Sequence, residues 1–333
     1  MRAATVPAGG GLDKITIVER EPGAPGPGQV QVRWRATSLN FHDYLVAAGQ
    51  IPVQDGRIPM SDGAGEIKAV GEGVADWQVG DHVMSTFFPF WQGGAPTLHK
   101  LMGVAGETVD GFAIEASNVD ANTLTGIPAG YSFAEAATLP CAALTAWRAL
   151  VEEGGLQPGQ SVLVEGSGGM SVFALQMAKA AGATVIATTS SDDKADRLRE
   201  LGADHVVNYK TDERWGKSAA KLVGGGVDLV LDVGGGATIK QSTEAVAIGG
   251  SIILIGILGG RDGTITFPKY FFKQAKMIGI AVGSHEMQRR MVRGIDVAGL
   301  KPVIDKSFPL EGLGEAFAYQ ISGAHFGKIV VEY

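Results

Sequence analysis

Two periods of apolar and polar residues run along this chain, and they divide it. Through roughly the first 125 residues the period is two. "KITIVER" and "QVQVRWRATSLN" alternate apolar with polar side chains, as half-buried strands do, and "EPGAPGPG" between them is a turn segment. "SDGAGEIKAVGEGVADWQVGDHVMS" supplies two more short strands with glycines at the corners, so a small barrel-like sheet is predicted. Residues 88–111 have no period and read as a long surface loop, a kind that is usually functional or mobile.

From about residue 128 the pattern changes. "FAEAATLPCAALTAWRALVEEGG" is helical, and strands and helices then alternate. "SVLVEG", "TVIATT", "HVVNY", "VDLVLDVG" and "SIILIGI" are apolar runs rich in Val and Ile, the composition of a parallel sheet buried on both faces. Helical segments lie between them, and a sixth strand, "MIGIAVGS", closes the series. Regular alternation of strand and helix predicts an α/β fold, a Rossmann-type doubly wound parallel sheet beside the β-rich first domain. The tail from about residue 286 holds a helix, the extended "KPVIDKSFP", a second helix and the strand "KIVVEY", and is expected to return to the first domain. The predicted domains are therefore 1–127 with 286–333, and 128–285.

The turn after the first strand of the second domain carries the first chemical signal. In "VLVEGSGGMSVFALQ", Gly166, Ser167, Gly168, Gly169, Met170 and Ser171 follow a strand and open a helix. Glycines there permit a tight turn and close approach of the backbone to a pyrophosphate, which the free N–H groups and dipole of the helix N-terminus would hold. Ser171 stands where a third glycine is usual; it is small enough for helix–strand packing, and its hydroxyl can bond back to the helix. A tight turn without a ligand is the competing reading. At the end of the second strand, NAD sites usually carry an acid for the ribose 2′-hydroxyl. This chain has Thr189 and Ser190 there, then Lys194, which suits a 2′-phosphate and favours NADPH over NADH. Asp192 and Asp193 leave NADH open.

Bulk properties narrow the partners. Among 333 residues, 49 are glycine, about twice the usual share. The net charge is −7, and no basic run tracks a phosphate backbone, so nucleic acid is not expected as a partner. One cysteine, Cys141, excludes an intramolecular disulfide and a four-cysteine zinc site. No apolar run of 18 residues suggests a membrane span, and a cytoplasmic setting is the expectation.

In "LNFHDYLVAAGQ", "PMSDGAGEIKAVGEGVADWQVGDHV", "FAEAATLPCAALTAWRAL", the glycine-rich segment, "LGADHVVNY" and "GAHFGKIVV", the chain resembles the medium-chain dehydrogenase/reductase superfamily. Within it, the similarity is to the zinc-independent branch near the quinone oxidoreductases, and it covers nearly the whole length. The resemblance implies a GroES-like catalytic domain, a Rossmann domain and an active site in the cleft between them. It places Asn40, Ser61 and Cys141 where zinc members hold their catalytic metal, one plausible ligand of three, so no zinc is expected. It also implies that Thr145, the segment Gly256, Ile257 and Leu258, and Tyr209 line the cofactor.

Without a Lewis acid the substrate oxygen must be polarised by hydrogen bonds and a proton delivered. "NFHDY" is the candidate segment. His42 matches the proton-relay Ser/Thr of zinc alcohol dehydrogenases, Asn40 is expected to donate to a substrate oxygen, and Tyr44 is a second acid. The bland alternatives are a helix cap or surface site for His42, an Asx turn for Asn40, and core packing for Tyr44 and Cys141. Asp43 is expected to orient His42 or the local backbone. The aromatics of "MSTFFPFW" are expected to wall a pocket for an apolar or aromatic carbonyl, enone or quinone substrate.

The function expected from this is a zinc-independent, NAD(P)H-dependent oxidoreductase that moves hydride to or from such a substrate. The alternatives are an enoyl-thioester reductase or an NADPH-binding protein without turnover, such as a redox sensor. A homodimer through the edge strand near residues 277–284 is expected, because an apolar unpaired edge invites association and relatives pair there.

Overall fold

The computed structural model describes residues 1–333 as two units, Met1–Leu144 together with Val282–Tyr333, and Thr145–Ala281. The first unit begins with β1 (Arg2–Thr5), β2 (Thr16–Glu19), β3 (Gln29–Ser38), α1 (Phe41–Ala47), β4 (Ala64–Val70), β5 (His82–Ser85), β6 (Ala116–Asp120), β7 (Leu124–Gly126) and α2 (Phe133–Ala137). Pro140 has no N–H to give the helix that follows α2, and the chain widens there into π turns before α3 (Leu144–Trp147). The second unit carries β8 (Ser161–Val164), α4 (Gly169–Ala180), β9 (Thr184–Thr189), α5 (Asp192–Glu200), β10 (His205–Asn208) and α6 (Trp215–Leu222). It continues with β11 (Val227–Asp232), α7 (Ile239–Ala245), β12 (Val246–Leu254), α8 (Phe267–Lys273) and β13 (Lys276–Gly279). The chain then rejoins the first unit through α9 (His285–Ala298), β14 (Ile304–Pro309), α10 (Leu313–Ile321) and β15 (Lys328–Glu332).

In the first unit, β1 and β2 pair with each other, and a larger sheet has the order β14-β15-β3-β4-β5-β7, with β6 also on β3. The period-two pattern of β3 works as expected: Val30, Val32, Trp34 and Ala36 face the core. Trp34 meets Phe112 edge-on at 4.5 Å, beside Met60, Ile67 and Phe317. The C-terminal strand is laced in through Val330 and Val331, which pair with Ser38 and Thr37. That register brings Lys328 beside the residues that follow β3.

The second sheet is parallel, in the order β10-β9-β8-β11-β12-β13. Its strands run outward from β8 in one direction and from β11 in the other, so the order reverses between those two. The carboxyl ends at such a reversal form the usual ligand crevice of a doubly wound sheet.

Three local expectations change. The helical residues 133–144 belong to the first unit, because α2 packs on β3, β4 and β15. The sixth strand stops at Gly279 instead of running to 284; Val282 takes a left-handed φ of 44°, which no strand accommodates. Strands β1, β6 and β7 went unpredicted, since three to five residues show too few repeats of a period. No helix is long and apolar enough to cross a membrane.

Candidate active site

The segment after β3 turns into α1, and Asp43 makes that turn. Its carboxylate accepts the N–H of Asn40 at 2.9 Å and the N–H of Ser61 at 2.8 Å, capping α1 and pinning the loop 58–62 against it. Asp43 is 1% exposed, and burial raises its carboxyl above the ordinary value while those N–H groups and His42 pull it back.

Asn40 is committed at both ends. Lys328 Nζ donates to Asn40 Oδ1 at 2.7 Å and to the Leu39 carbonyl at 2.6 Å. Asn40 Nδ2 donates to Asp62 Oδ2 at 2.8 Å and to Ser61 Oγ at 3.2 Å. The amide thus lies head to tail between a buried ammonium and a buried carboxylate. This corrects the expectation that Asn40 donates to a substrate oxygen: both of its amide hydrogens already have protein acceptors. Burial pushes Asp62 up to about 7, against the pull of Lys328, and pushes the Lys328 ammonium below its ordinary value. Cys141 keeps some solvent contact as a residue, but burial of its thiol and the nearby Asp62 raise it well above the ordinary range. Lys328 and Asp62 were missed from the sequence, although a lysine opening the apolar run "KIVVEY" was a usable signal.

His42 does not meet Asp43 through a hydrogen bond. Its Nε2 lies 3.4 Å from Glu107 Oε2, a carboxylate from the long loop, and its ring meets Phe87 edge-on at 5.6 Å. The loop aromatics continue from there: Phe87 packs on Phe88 at 4.9 Å, and Phe88 on Trp91 at 6.1 Å. Trp91 is fully buried with its indole N–H on the Gly94 carbonyl, so it braces the loop, and Phe87 is the aromatic next to His42. Tyr44 packs on the core of the first unit, its ring 5.8 Å from Phe41.

In the second unit, Gly166 adopts φ of 75°, a conformation that favours glycine, and a Cβ added at Gly166 or Gly168 would meet nothing within 4 Å. The backbone above the turn is open, and Gly168 leads into α4 with no side chain capping its first N–H groups. A pyrophosphate fits that cradle. Ser171 is buried, and its hydroxyl donates to the Glu165 carbonyl at 2.7 Å, toward the preceding strand rather than back along the helix. Gly166 N–H is received by Thr188 Oγ at 3.1 Å, a partner the sequence did not disclose. Ser167 is buried and Met170 half-buried on the first turn of α4.

Thr189 is 1% exposed and its hydroxyl donates to the Ser191 carbonyl at 3.2 Å, which corrects its assignment to a ribose phosphate: it shapes the turn. Ser190 is exposed, Ser191 caps α5 by accepting the Lys194 N–H at 3.4 Å, and the Asp192 carboxylate accepts from the Asn208 amide at 3.0 Å. Tyr209 is half-exposed, and its N–H donates to the Thr189 carbonyl at 3.0 Å. Thr145 is buried at the start of the unit. Gly256, Ile257 and Leu258 follow β12, with Leu258 N–H on the Val233 carbonyl at 3.1 Å; a Cβ on Gly256 would come within 2.5 Å of the Val233 oxygen, so only glycine allows this approach.

Comparison with known proteins gives a consistent set. Residues 26–129 match the family model described as an alcohol dehydrogenase GroES-like domain, and residues 169–296 the one described as zinc-binding dehydrogenase. The chain is 41% identical to a zinc-type alcohol dehydrogenase-like protein of Schizosaccharomyces pombe, over 97% of this chain and 96% of that protein. A candidate alcohol dehydrogenase of Sinorhizobium meliloti 1021 superposes with a TM-score of 0.94 at 37% identity, covering 100% of this chain and 98% of that one. The structure of an NAD-dependent alcohol dehydrogenase superposes with a TM-score of 0.92 at 33% identity, covering 100% of both chains.

Proposed function

The chain belongs to the medium-chain dehydrogenase/reductase superfamily as an NAD(P)-dependent, alcohol dehydrogenase-like oxidoreductase, and from that premise we propose a metal-independent, NADPH-preferring reductase of apolar carbonyl, enone or quinone compounds. The observation that carries this reading is the Lys328–Asn40–Asp62 chain. Catalytic zinc takes three protein ligands drawn from Cys, His and carboxylates. Here the corresponding places hold an amide, a hydroxyl and a thiol pushed away from its thiolate, and no three His, Cys, Asp or Glu side chains assemble into a metal-binding group. An ammonium 2.7 Å from Asn40 already supplies the positive charge. The zinc-type description of the relatives therefore does not fit these donors.

The turn Gly166–Ser171 is suited to the cofactor pyrophosphate, Thr145, Tyr209 and the segment 256–258 to the flanking parts. Bound nicotinamide supplies the hydride at C4. At the end of β9, the exposed Ser190 and the neighbouring Lys194 offer a 2′-phosphate a hydroxyl and a cation, while Asp192 is turned to Asn208. His42 holds the proton for the substrate, with the Glu107 carboxylate 3.4 Å from its Nε2, and Phe87 and Phe88 exclude water. Asn40 positions Asp62 and the loop 58–62.

Elemental analysis and chelation test this. Activity against a panel of aldehydes, ketones, enones and quinones is expected to survive dialysis against a chelator, with no stoichiometric zinc and faster turnover with NADPH than with NADH. Activity lost on chelation and regained with zinc would sink the metal-free reading, as silence across the panel would sink the reductase.

We also propose a homodimer through the sheet edge at β13. That strand has a partner on one side only, and α8 before it leaves Phe267, Phe271 and Phe272 exposed at 70%, 69% and 71%. Light scattering at micromolar concentration is expected to give twice the chain mass; the chain mass itself would count against the dimer.

A further inference from the structure

At the reversal of the second sheet, Glu165 directly follows β8 and Asp232 ends β11. Both carboxyls are buried, at 3% and 0% exposure, and so is Ser242 of α7, at 0%. Ser242 Oγ lies 2.9 Å from Glu165 Oε1 and 2.6 Å from Asp232 Oδ2. A hydroxyl carries one hydrogen and can donate it once. The second of these contacts is therefore a hydrogen bond only if a carboxyl supplies the proton.

The surroundings say which one. Glu165 Oε2 accepts the N–H groups of Val233 at 3.1 Å and Gly234 at 3.2 Å, leaving Oε1 toward Ser242. Asp232 Oδ1 accepts from the Gly235 N–H at 2.8 Å and the Thr238 hydroxyl at 2.7 Å, and its Oδ2 makes the shorter contact with Ser242. Each carboxyl thus accepts two donors on its other oxygen, and what separates them is the Ser242 contact: 2.6 Å to Asp232 is the length of a hydroxyl donating to a carboxylate, and the longer 2.9 Å contact leaves the proton to Glu165. The titratable group facing Glu165 is Asp232; the remaining neighbours are Ser242 and two backbone N–H groups, with no cation among them. Burial first, then the Asp232 charge, push Glu165 up to about 8.

The contacts of this pair radiate into the loops around the cofactor turn. Glu165 adjoins Gly166, and its carbonyl receives the Ser171 hydroxyl. The Asp232 carbonyl accepts the N–H groups of Ile255 at 2.8 Å and Gly256 at 3.3 Å, and the Val233 and Gly234 carbonyls accept those of Leu258 and Gly259. We propose that Glu165 is held as the neutral acid, donating to Ser242, which donates to the Asp232 carboxylate, and that this proton-bridged pair is a positioning device for the cofactor. It joins the glycine-rich turn to the loops 233–235 and 255–259 and releases them when the proton leaves. The positioning half rests on the reading that these loops bind NADPH.

Glu165 titrates above its ordinary value of 4.5, so between 4.5 and about 8 the folded protein holds a proton that the unfolded chain does not. The stability this bridge contributes is full below 4.5 and is lost as pH rises through about 8. If only the neutral form holds the loops, apparent NADPH affinity follows the neutral fraction and falls about tenfold between pH 7 and pH 9.

The test combines NADPH fluorescence titrations of the full-length protein from pH 6.5 to 9.5 with infrared spectra of the same samples. Wild type is expected to lose about thirtyfold in affinity over that range and to show a component of the protonated-carboxyl band that fades with the same midpoint near 8. Glu165→Gln is expected to lack the component that fades near pH 8, keeping any contribution of Asp62 with its midpoint near 7, and to bind with flat pH dependence, since its carbonyl can receive the Val233 and Gly234 N–H groups and its amide can donate to Ser242. Absence in wild type of a component that fades near pH 8 overturns the neutral acid, whether or not the variant folds. A band that fades while affinity stays flat overturns the positioning role. Wild type that binds neither NADPH nor NADH overturns the cofactor reading and the positioning half with it, while the band still reports the proton.

Discussion

Each unit of this protein buries two carboxylates, and the two pairs are balanced in different ways. In the first unit, Asp43 and Asp62 share their surroundings with an ammonium, Lys328, reached through the Asn40 amide. In the second, Glu165 and Asp232 have no cation and are joined by a hydroxyl. A buried charge must be paired or neutralised. The first pair is compensated by a lysine and the second by a proton. The difference is visible in how far burial prevails: Lys328 pulls against it and Asp62 rises to about 7, whereas no cation opposes it at Glu165, which rises to about 8.

Removing the lysine is expected to have the largest effect. Lys328→Met leaves Asp62 and Asp43 without their cation and should destabilise the protein by about 3–5 kcal/mol, read from urea denaturation. Adding Asp62→Asn to that variant should restore part of the loss, because the orphaned charge goes with it; no recovery would mean that the cluster is held by packing instead. Ser242→Ala in the other cluster removes a bridge and no charge, so a smaller loss of about 1–3 kcal/mol is expected by the same measurement. That loss should shrink as pH rises through about 8, where the wild-type protein itself gives up the bridge. A cost for Ser242→Ala as large as that for Lys328→Met, and independent of pH, would erase the distinction between the two clusters.

The fold class was legible because it rests on local periods. The alternation in "QVQVRWRATS" became β3, and the Val- and Ile-rich runs became the parallel sheet. The glycine-rich turn was legible for the same reason: Gly166 needs its φ within four residues of the strand that precedes it. Local patterns failed where distant residues decide. Val282 ended a strand whose sequence continues apolar. Thr189 carries a suitable hydroxyl, but the turn it makes consumes it. Asn40 was expected to face substrate, and a lysine 288 positions away occupies its oxygen. Glu107 emerged as the neighbour of His42 from a loop without any period.

By itself, then, the sequence determined the main strands and helices and which family they resemble, a resemblance that implies an amide, a hydroxyl and a thiol in the metal-ligand places. Those properties follow from side-chain identity and spacing along the chain. Only the tertiary structure decided that Lys328 reaches Asn40, that Asp43 caps α1 while pinning Ser61, and that Glu165, Ser242 and Asp232 meet without a cation. Protonation and hydrogen-bond commitment depend on distance and desolvation across the folded chain, and neither is written in the spacing of residues along it.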